Sequence, residues 1–333
     1  AKGLSCYIKD GGGTYKVAGA TDKMSSDGSV VLLTGTVEIG QGPRTALSQV
    51  VAEELGLSLK QITVAQLDTD VTPYDISTSA SSSMVVMGLA VQRAAQDAKR
   101  QLLQCAGKVL KKKPDDLFIQ KGEIHSHNGQ SISYSKVIVD FFGSKAGEII
   151  AKGLYKDKRS KKAVLGSTAT FWEVGWGGVD LEVDPETGVV RLLNYVSVCD
   201  TGKAINPDQC IGQDEGAVMF GIGHSLMEEM VYEDGQLLNG NLVDYRVPTF
   251  GDLPDGLHTI LIENGNGPGP FGSKGIGEGG LLPVASAIAN AVSRAVGVRI
   301  RDLPLTPPKI WRALQPKAEA QIKDQAEAGL KTG

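Results

Sequence analysis

One acidic side chain stands among glycines, in a position from which it could contact a small molecule. Glu278 lies in Phe271–Gly280, a stretch that contains five glycines and directly precedes an apolar segment beginning at Leu281. Glycine allows positive φ and a close approach of the backbone to a ligand, so Glu278 is the first candidate for a functional residue. The alternative is an acidic residue in the first turn of a helix, where the helix dipole favours a negative charge.

Three further turns rich in glycine or serine lie at predicted helix starts. Gly40–Pro43 precedes one helix, Ser77–Ser83 precedes a second, and Asp200–Pro207 opens a third that carries Gly212–Ala217. The free N–H groups at the start of a helix suit phosphates and other anions. Capping explains one serine, but the five serines of Ser77–Ser83 exceed that need and predict a hydrogen-bonding cradle for a polar ligand.

Composition narrows the class of protein. The chain has 333 residues, 42 glycines and a net charge of −4. This length exceeds what one core usually supports, and the dispersed basic residues do not indicate nucleic-acid binding. The four cysteines are far apart, so they support neither a zinc site nor an iron–sulfur cluster on this chain. No signal-peptide core and no apolar run of about 18 residues is present, so we expect a cytoplasmic location.

Hydrophobic periodicity and turn residues predict a mixture of helices and strands. In the first part of the chain we expect strands over Ser29–Thr34 and Ile62–Leu67, a helix ended by Gly56, a helix over Met84–Cys105 closed by Gly107, and a hairpin at Asn128-Gly129 followed by a helix near Ser133. In the second part we expect strands over Thr168–Val183 and Val189–Cys199 around the turn Asp184–Gly188, a helix opened by Asn206-Pro207, and a helix with Leu281, Val284, Ile288, Val292 and Ala295 on one face that ends at Gly297.

These elements predict an α+β fold with two lobes and an elongated shape, in which mixed sheets are flanked by helices. The irregular basic stretch Ser144–Lys162 marks the expected boundary, and a solvated linker explains its charge better than a partner-docking patch does. We therefore expect a first lobe in residues 1–150 and a second lobe with Glu278 in residues 151–315. The polar tail, residues 316–333, has little to bury and is expected to be exposed or disordered unless a partner holds it.

Several motif matches fail on physical grounds. Gly267–Gly272 matches G-x-G-x-x-G, but its two prolines remove N–H donors and no strand-to-helix dinucleotide unit surrounds it. Lys274 is not followed by the Ser or Thr of a phosphate-binding P-loop. His125 and His127 lack acidic or cysteine partners and are interpreted as surface residues. Asp68 and Asp70 could be a metal pair, although a turn at a strand end explains them at least as well.

Four segments, in this order and spacing, resemble the molybdenum-binding domain of the xanthine dehydrogenase and aldehyde oxidase family of molybdenum hydroxylases. The resemblance extends from Gly3 to Ile310 and covers only the C-terminal half of that family's molybdenum domain. The segments are VEIGQG (Val37–Gly42), TSASSS (Thr78–Ser83), GQDEGA (Gly212–Ala217) and GSKGIGEGG (Gly272–Gly280).

The resemblance implies a molybdenum–molybdopterin cofactor in its cytosine dinucleotide form, and it implies the residues that bind it. Glu278 matches the family's catalytic glutamate, which acts as a general base. The metal is expected to be held through the pterin, with no direct protein ligand. The implied cofactor-binding residues are Gly40, Gln41, Gly42, Ser79, Ala80, Ser81, Ser83, Gln213, Lys274 and Gly277.

The resemblance also implies partner subunits. The N-terminal half of the family's molybdenum domain, the iron–sulfur cysteines and a flavin-binding module are missing from the sequence, as in the medium molybdopterin subunit of nicotinate dehydrogenase. We therefore expect a complementary molybdopterin subunit, a 2Fe–2S subunit and an FAD subunit, with no nucleic acid and no membrane. The expected reaction is hydroxylation of an N-heteroaromatic, nicotinate-like or purine-like, with oxygen from water. The alternatives are an aldehyde-oxidising member of the family and a non-catalytic molybdopterin-binding or assembly subunit.

Overall fold

The computed structural model describes residues 1–12, 16–143, 147–157 and 169–315. Residues 307–315 are helical as well. The longer helices are α1 (Pro43–Leu55), α2 (Ser83–Leu110), α3 (Tyr134–Phe142), α4 (Pro207–Leu226) and α5 (Val284–Val296). The strands are β1 (Lys2–Asp10), β2 (Val17–Met24), β3 (Val30–Thr34), β4 (Ile62–Val64), β5 (Leu117–Gln120), β6 (Glu123–Ser126), β7 (Ser131–Ser133), β8 (Ile149–Lys156), β9 (Trp172–Val183), β10 (Val190–Asp200), β11 (Tyr232–Glu233), β12 (Gln236–Leu237) and β13 (Gly256–Ile262).

The first core lies between a four-stranded mixed sheet and the helices α1, α2 and α3. The strand order is β4-β3-β2-β8, and β3 and β4 are parallel because α1 crosses over between them. Alternate residues of β2 and β8 are buried, as expected for strands with one covered face. Gly153 of β8 permits the close approach of α2, since a Cβ atom there would lie 1.9 Å from the carbonyl oxygen of Ala90.

The second core lies between another four-stranded sheet and the helices α4 and α5. Its order is β1-β9-β10-β13, with β10 and β13 parallel and joined through a connection that contains α4. The buried face of α5 consists of Val284, Ala287, Ile288, Ala291, Val292 and Val296. The mixed sheets with flanking helices confirm the predicted α+β fold class.

Strand pairing crosses the expected lobe boundary at residue 150. That residue lies inside β8, which pairs with β2 in the first sheet, whereas β1 from the start of the chain pairs with β9 in the second sheet. The buried residues of the first core lie within Ala18–Tyr155 and those of the second within Val179–Ile310. Strand β1 departs from this order, because strands far apart in sequence can pair. Part of the basic stretch (residues 144–146 and 158–162) and the predicted tail (residues 316–333) lie outside the described residues.

Most predicted helices and turns are confirmed, with local corrections. Gly56 and Gly297 end α1 and α5 in the left-handed conformation, and Ser133 and Asn206 cap α3 and α4. Gly107 does not close the second helix: it is buried within α2, which continues to Leu110. The strand expected over Ile62–Leu67 ends at Val64. The predicted apolar face of α5 was wrong at two positions: Ala295 is exposed, and Leu281 lies in the turn before the helix, which begins at Val284.

Within the described parts of the chain, no helix is both long and apolar enough to cross a lipid bilayer.

Candidate functional site

A cavity of about 320 Å³ lies where the four singled-out segments meet. It is bordered by the start of α1, the loop before α2, the first turns of α4 and the loop before α5. Sequence-predicted residues that line it are Gln41, Ser79, Ala80, Ser81, Ser83, Gln213, Lys274, Gly277 and Glu278. Gly40 and Gly42 are not among the lining residues.

The loop Ser77–Ser82 before α2, called the serine loop below, adopts an unusual backbone conformation. Ala80 and Ser81 have φ angles of +52° and +55°, which non-glycine residues rarely adopt. The buried Lys16 holds this loop, because its Nζ lies 3.3 Å from the carbonyl oxygen of Ser79 and also donates to Ser82 Oγ. Burial lowers the pKa of Lys16, as does the nearby Lys9. The loop is therefore shaped by tertiary contacts as well as by its own sequence.

The glycine-rich loop that carries Glu278 packs directly against the serine loop. A Cβ atom at Gly275 would lie 1.6 Å from the carbonyl oxygen of Ser81, so only glycine fits there. Glu278 lies in a turn before α5, which begins at Val284, and not in the first turn of the helix as the alternative interpretation supposed. Its side chain is 51% exposed. The dipole of α5 is therefore not the reason for an acidic residue at this position.

Two side chains contact the Glu278 carboxylate at the same oxygen. Ser81 Oγ donates to Oε2 at 3.2 Å, and Lys9 Nζ lies 3.0 Å from that atom. Lys9 also lies 3.2 Å from Oε1 of Glu173, whose side chain is only 2% exposed. Burial raises the pKa of Glu173 to about 7, and the Lys9 ammonium opposes this rise.

Sequence reasoning missed Lys9 and Glu173. A signal was present in the pattern of β9, where Glu173 occupies one of the alternating positions that point towards the core. An acidic residue at an inward position requires a partner. The identity of that partner depends on the pairing of β1 with β9, which is not local in sequence.

At the start of α1, backbone donors are satisfied by the chain itself. The N–H groups of Gly40 and Gly42 each donate to Oε1 of Glu38 at 3.0 Å. The Gln41 side chain donates to the carbonyl oxygen of Val37 at 2.9 Å and accepts from the N–H of Ile39 at 2.8 Å. Gln41 therefore lines the cavity, while its side chain already makes hydrogen bonds to the backbone of its own loop.

Helix α4 contributes amide side chains to the cavity wall. Gln209 and Gln213 lie one turn apart, so they share a face of the helix. The Oε1 atom of Gln209 is buried and has no hydrogen-bond partner among the described residues. Sequence reasoning identified Gln213 and missed Gln209, although the i, i+4 spacing from one amide to the other was a usable signal.

The two lysines that line the cavity are both paired with acidic residues. Lys274 Nζ lies 2.7 Å from Oδ2 of Asp200, and Lys203 Nζ lies 2.8 Å from Oε2 of Glu263. Lys274 lines the cavity and ties the Glu278 loop to the end of β10, and its contact with a cofactor stays a prediction. Among the described residues, no group of three or more His, Cys, Asp or Glu side chains could hold a metal ion.

Comparison with known proteins gives consistent matches. Residues 1–254 match the family described as "Molybdopterin cofactor-binding domain". The chain is 34% identical over 304 residues to the xanthine dehydrogenase molybdenum-binding subunit of Escherichia coli O157:H7, covering 89% of this chain and 39% of that protein. It is 31% identical over 330 residues to the nicotine 6-hydroxylase large subunit of Paenarthrobacter nicotinovorans, covering 93% of this chain and 40% of that protein.

A solved structure shares the fold. Quinoline 2-oxidoreductase from Pseudomonas putida 86 superposes with a TM-score of 0.82 at 27% identity, covering 94% of this chain and 42% of that one. The chain thus spans about two fifths of the length of these proteins.

Proposed function

We infer that this chain binds molybdopterin and carries the general base of a hydroxylase. The reason is that the chain belongs to the molybdopterin cofactor-binding domain family and to the molybdenum hydroxylases. The observation that supports this function most strongly is the position of Glu278. Its carboxylate lies at the wall of the cavity where the four segments meet, held by Ser81 and Lys9. A carboxylate so placed can take a proton from a reacting group beside it.

The residues around the cavity fit a pterin. A pterin presents ring nitrogens and an amide edge, which hydroxyl and amide side chains can bind without a net charge. The wall provides these groups in Ser79, Ser81, Gln209 and Gln213, and the unpartnered Oε1 of Gln209 is a free acceptor among the described residues. We propose that these side chains, with Gln41 and the backbone of Ala80 and Gly277, hold the cofactor, and that the cofactor is the cytosine dinucleotide form of molybdopterin.

The proposed reaction is R–H + H₂O → R–OH + 2 e⁻ + 2 H⁺, in which the substrate carbon is oxidised. The bound molybdenum cofactor supplies the two-electron oxidation. The contribution of this chain is to accept a proton at Glu278. The described residues contact Oε2 of this carboxylate, so Oε1 is the oxygen that we assign to accept it.

The substrate proposed is an N-heteroaromatic. The relatives named above carry xanthine, nicotine and quinoline in their names, and each of these has a nitrogen-containing ring. A second candidate is an aldehyde, because the chain is also 32% identical over 293 residues to aldehyde oxidase 2 of Cavia porcellus. Steady-state kinetics of the assembled enzyme with a nicotinate or purine series and an aldehyde series would distinguish the two.

The chain is proposed to work with partner polypeptides: a complementary molybdopterin-binding chain, a 2Fe–2S subunit and an FAD subunit. Two relatives bear subunit names, "large subunit" and "complex subunit gamma". The coverage of about two fifths of these relatives supports a complementary region elsewhere. Electrons from the substrate would pass from the cofactor to the iron–sulfur and flavin groups of those partners.

The test of this function is Glu278→Gln in the assembled enzyme. We expect turnover to fall by at least about 100-fold, the lower bound for loss of a general base, while bound molybdenum stays within about 20% of the wild-type content. Glu186→Gln, in the exposed turn between β9 and β10, is the matched control and should keep full turnover. Loss of molybdenum in proportion to activity would assign Glu278 to cofactor retention instead.

A further inference from the structure

A single ammonium group lies between two carboxylates at the edge of the cavity. Lys9 Nζ is 3.2 Å from Oε1 of Glu173 and 3.0 Å from Oε2 of Glu278. It also lies 3.3 Å from Ser81 Oγ and 3.1 Å from the carbonyl oxygen of Asp10. An ammonium with this many acceptors has little freedom to turn away from any one of them.

The position of this ammonium follows from the register of two strands. In the antiparallel pairing of β1 with β9, Lys9 is directly opposite Glu173. Side chains directly opposite each other on one face of a sheet are neighbours. Glu278 comes from a different part of the chain, a loop with no strand pairing of its own. The partner of Lys9 on the paired strand is therefore Glu173, and its partner from the loop before α5 is Glu278.

Burial distinguishes the two carboxylates further. The side chain of Glu173 is 2% exposed, that of Lys9 15% and that of Glu278 51%. Breaking a buried ion pair is strongly destabilising, because it leaves an uncompensated charge. Lys9 is thus tied to Glu173, whereas Glu278 has water as an alternative to Lys9.

We propose that Lys9, anchored by Glu173, is a positioning residue that holds the Glu278 carboxylate against the cavity by its Oε2 atom and leaves Oε1 to the reaction. This inference rests on the proposed function of Glu278 as a general base. Ser81 shares the task, because its hydroxyl contacts the same oxygen. Glu173 is not a catalytic residue in this arrangement: it anchors Lys9, which contacts Glu278, and the negative charge of Glu278 also raises the pKa of Glu173.

The other titratable groups near this cluster do not replace Lys9. Lys16 is another cation that interacts with Lys9 and Glu278, but its Nζ is engaged by the carbonyl oxygen of Ser79 and by Ser82 Oγ. Tyr7 on β1 and Cys199 on β10 face Glu173 from the neighbouring strands, and burial raises the pKa of both above the neutral range. Asp214 of α4 faces Tyr7 and Cys199 and is satisfied by Ser197 and Thr259.

The first test uses the chain without cofactor. Lys9→Met should lower the denaturation midpoint at pH 8 much more than at pH 5.5. The reason is that Glu173, with its raised pKa, is protonated at the lower pH and then needs no cation. Lys9→Met combined with Glu173→Gln should remove this pH dependence, and Lys2→Met, at an exposed lysine on the same strand, should not produce it. An equal loss at both pH values would overturn the anchoring of Lys9 by Glu173.

The second test uses the assembled enzyme. Lys9→Met should lower kcat by about 10- to 100-fold, the usual cost of misplacing a reacting group, with KM within about twofold and molybdenum content unchanged. Lys9→Arg, which keeps the positive charge, should recover most of kcat. In a Glu278→Gln background, Lys9→Met should change the residual turnover by less than about threefold, because residues that act as a unit are not additive.

The outcomes separate this inference from the function on which it rests. Wild-type kcat in Lys9→Met, together with loss of turnover in Glu278→Gln, would overturn the positioning of Glu278 and leave the general base intact. Wild-type turnover in Glu278→Gln would overturn both. If Lys9→Met does not fold, kcat is compared between Lys9→Arg and Glu173→Ala instead. Glu173→Ala removes the carboxylate that anchors Lys9 and keeps the lysine itself.

Discussion

Among the residues that the structure describes, three carboxyl groups are buried, and each meets a different environment. Glu173 has the ammonium of Lys9. Asp214 accepts hydrogen bonds from Thr259 Oγ1 at 2.6 Å and Ser197 Oγ at 3.1 Å. Asp22, on β2 in the first core, has no hydrogen-bond partner for either carboxyl oxygen among the described residues. Burial raises the pKa of Asp22 to about 8, so the protonated form of this side chain predominates below that pH.

The raised pKa of Asp22 predicts a pH-dependent stability. The folded-state value of about 8 lies above the unfolded value of about 4, so folding takes up a proton between these limits and the free energy of unfolding falls as pH rises through them. Asp22→Asn should remove this contribution, a slope of up to about 1.4 kcal/mol per pH unit. Urea denaturation of both proteins at several pH values gives the difference curve. A flat difference between pH 5 and 8 would contradict the assignment, and Asp70→Asn, at an exposed position, serves as control.

At the scale of secondary-structure elements, small residues set how closely helices approach sheets. Helix α2 packs against β8 and β2 with alanines at Ala90 and Ala94 facing Gly153. Close packing places the serine loop, which precedes α2, at a fixed height above the first sheet. In the second sheet, the register of β1 and β9 fixes the positions of Lys9 and Glu173. Two separate helix–sheet layers therefore meet at the cavity.

The contact between α2 and β8 predicts a large effect of a single methyl group. Gly153→Ala would place a Cβ atom 1.9 Å from the carbonyl oxygen of Ala90 and 2.4 Å from the backbone nitrogen of Ala94. Backbone atoms cannot give way cheaply, so we expect a loss of about 1–3 kcal/mol in the free energy of unfolding. Chemical denaturation of the isolated chain measures it.

The matched control for this substitution is another glycine, within α4. A Cβ atom at Gly216 would meet no heavy atom within 4 Å. Gly216→Ala should therefore leave stability unchanged or raise it by up to about 1 kcal/mol, because alanine is the better helix former. Equal destabilisation by both substitutions would show that close packing at Gly153 is not the cause.

At the scale of the whole molecule, the described residues leave one face of the second sheet uncovered. Helices α4 and α5 cover its inner face, while apolar side chains stand outward from all four strands. A row of direct cross-strand partners, Cys6, Trp176, Val198 and Ile260, runs across this face. Exposed side chains on it include Leu4, Ile8, Trp176, Ile260 and Ile262, which are 40% to 67% exposed.

Large exposed apolar patches are typical of interaction sites, and we expect the proposed complementary molybdopterin-binding polypeptide to cover this face. The chain spans about two fifths of the length of its relatives. Trp176→Asp should weaken association with that polypeptide by at least about tenfold, as for a truncated interface anchor. Its effect on unfolding of the isolated chain should be small.

Co-purification and binding measurements on the reconstituted pair test this expectation. Thr63→Asp, at an exposed position on β4 of the other sheet, is the control and should leave association unchanged. Unchanged binding by Trp176→Asp would place the interface elsewhere. Self-association of the isolated chain that disappears in Trp176→Asp would identify a second copy as the occupant.

The local sequence was sufficient to predict the four loops and the helices that follow them. Glycine, proline and serine act on the conformation of their own turn, so Gly56, Ser133, Asn206 and Gly297 could be assigned as helix ends from the sequence alone. Gly107 was misread because a glycine can also serve close packing inside a helix, and only the neighbouring segment reveals which applies.

The sequence by itself determined the α+β class, the segments that surround the cavity and the choice of Glu278, since each depends on residue types within a short window. Only the tertiary structure decided that β1 joins the second sheet, that Lys274 pairs with Asp200, and that Lys9 lies between Glu173 and Glu278. The physical reason is that strand register and ion pairing join residues far apart in the chain. No local pattern records which of several charged residues becomes the partner of another.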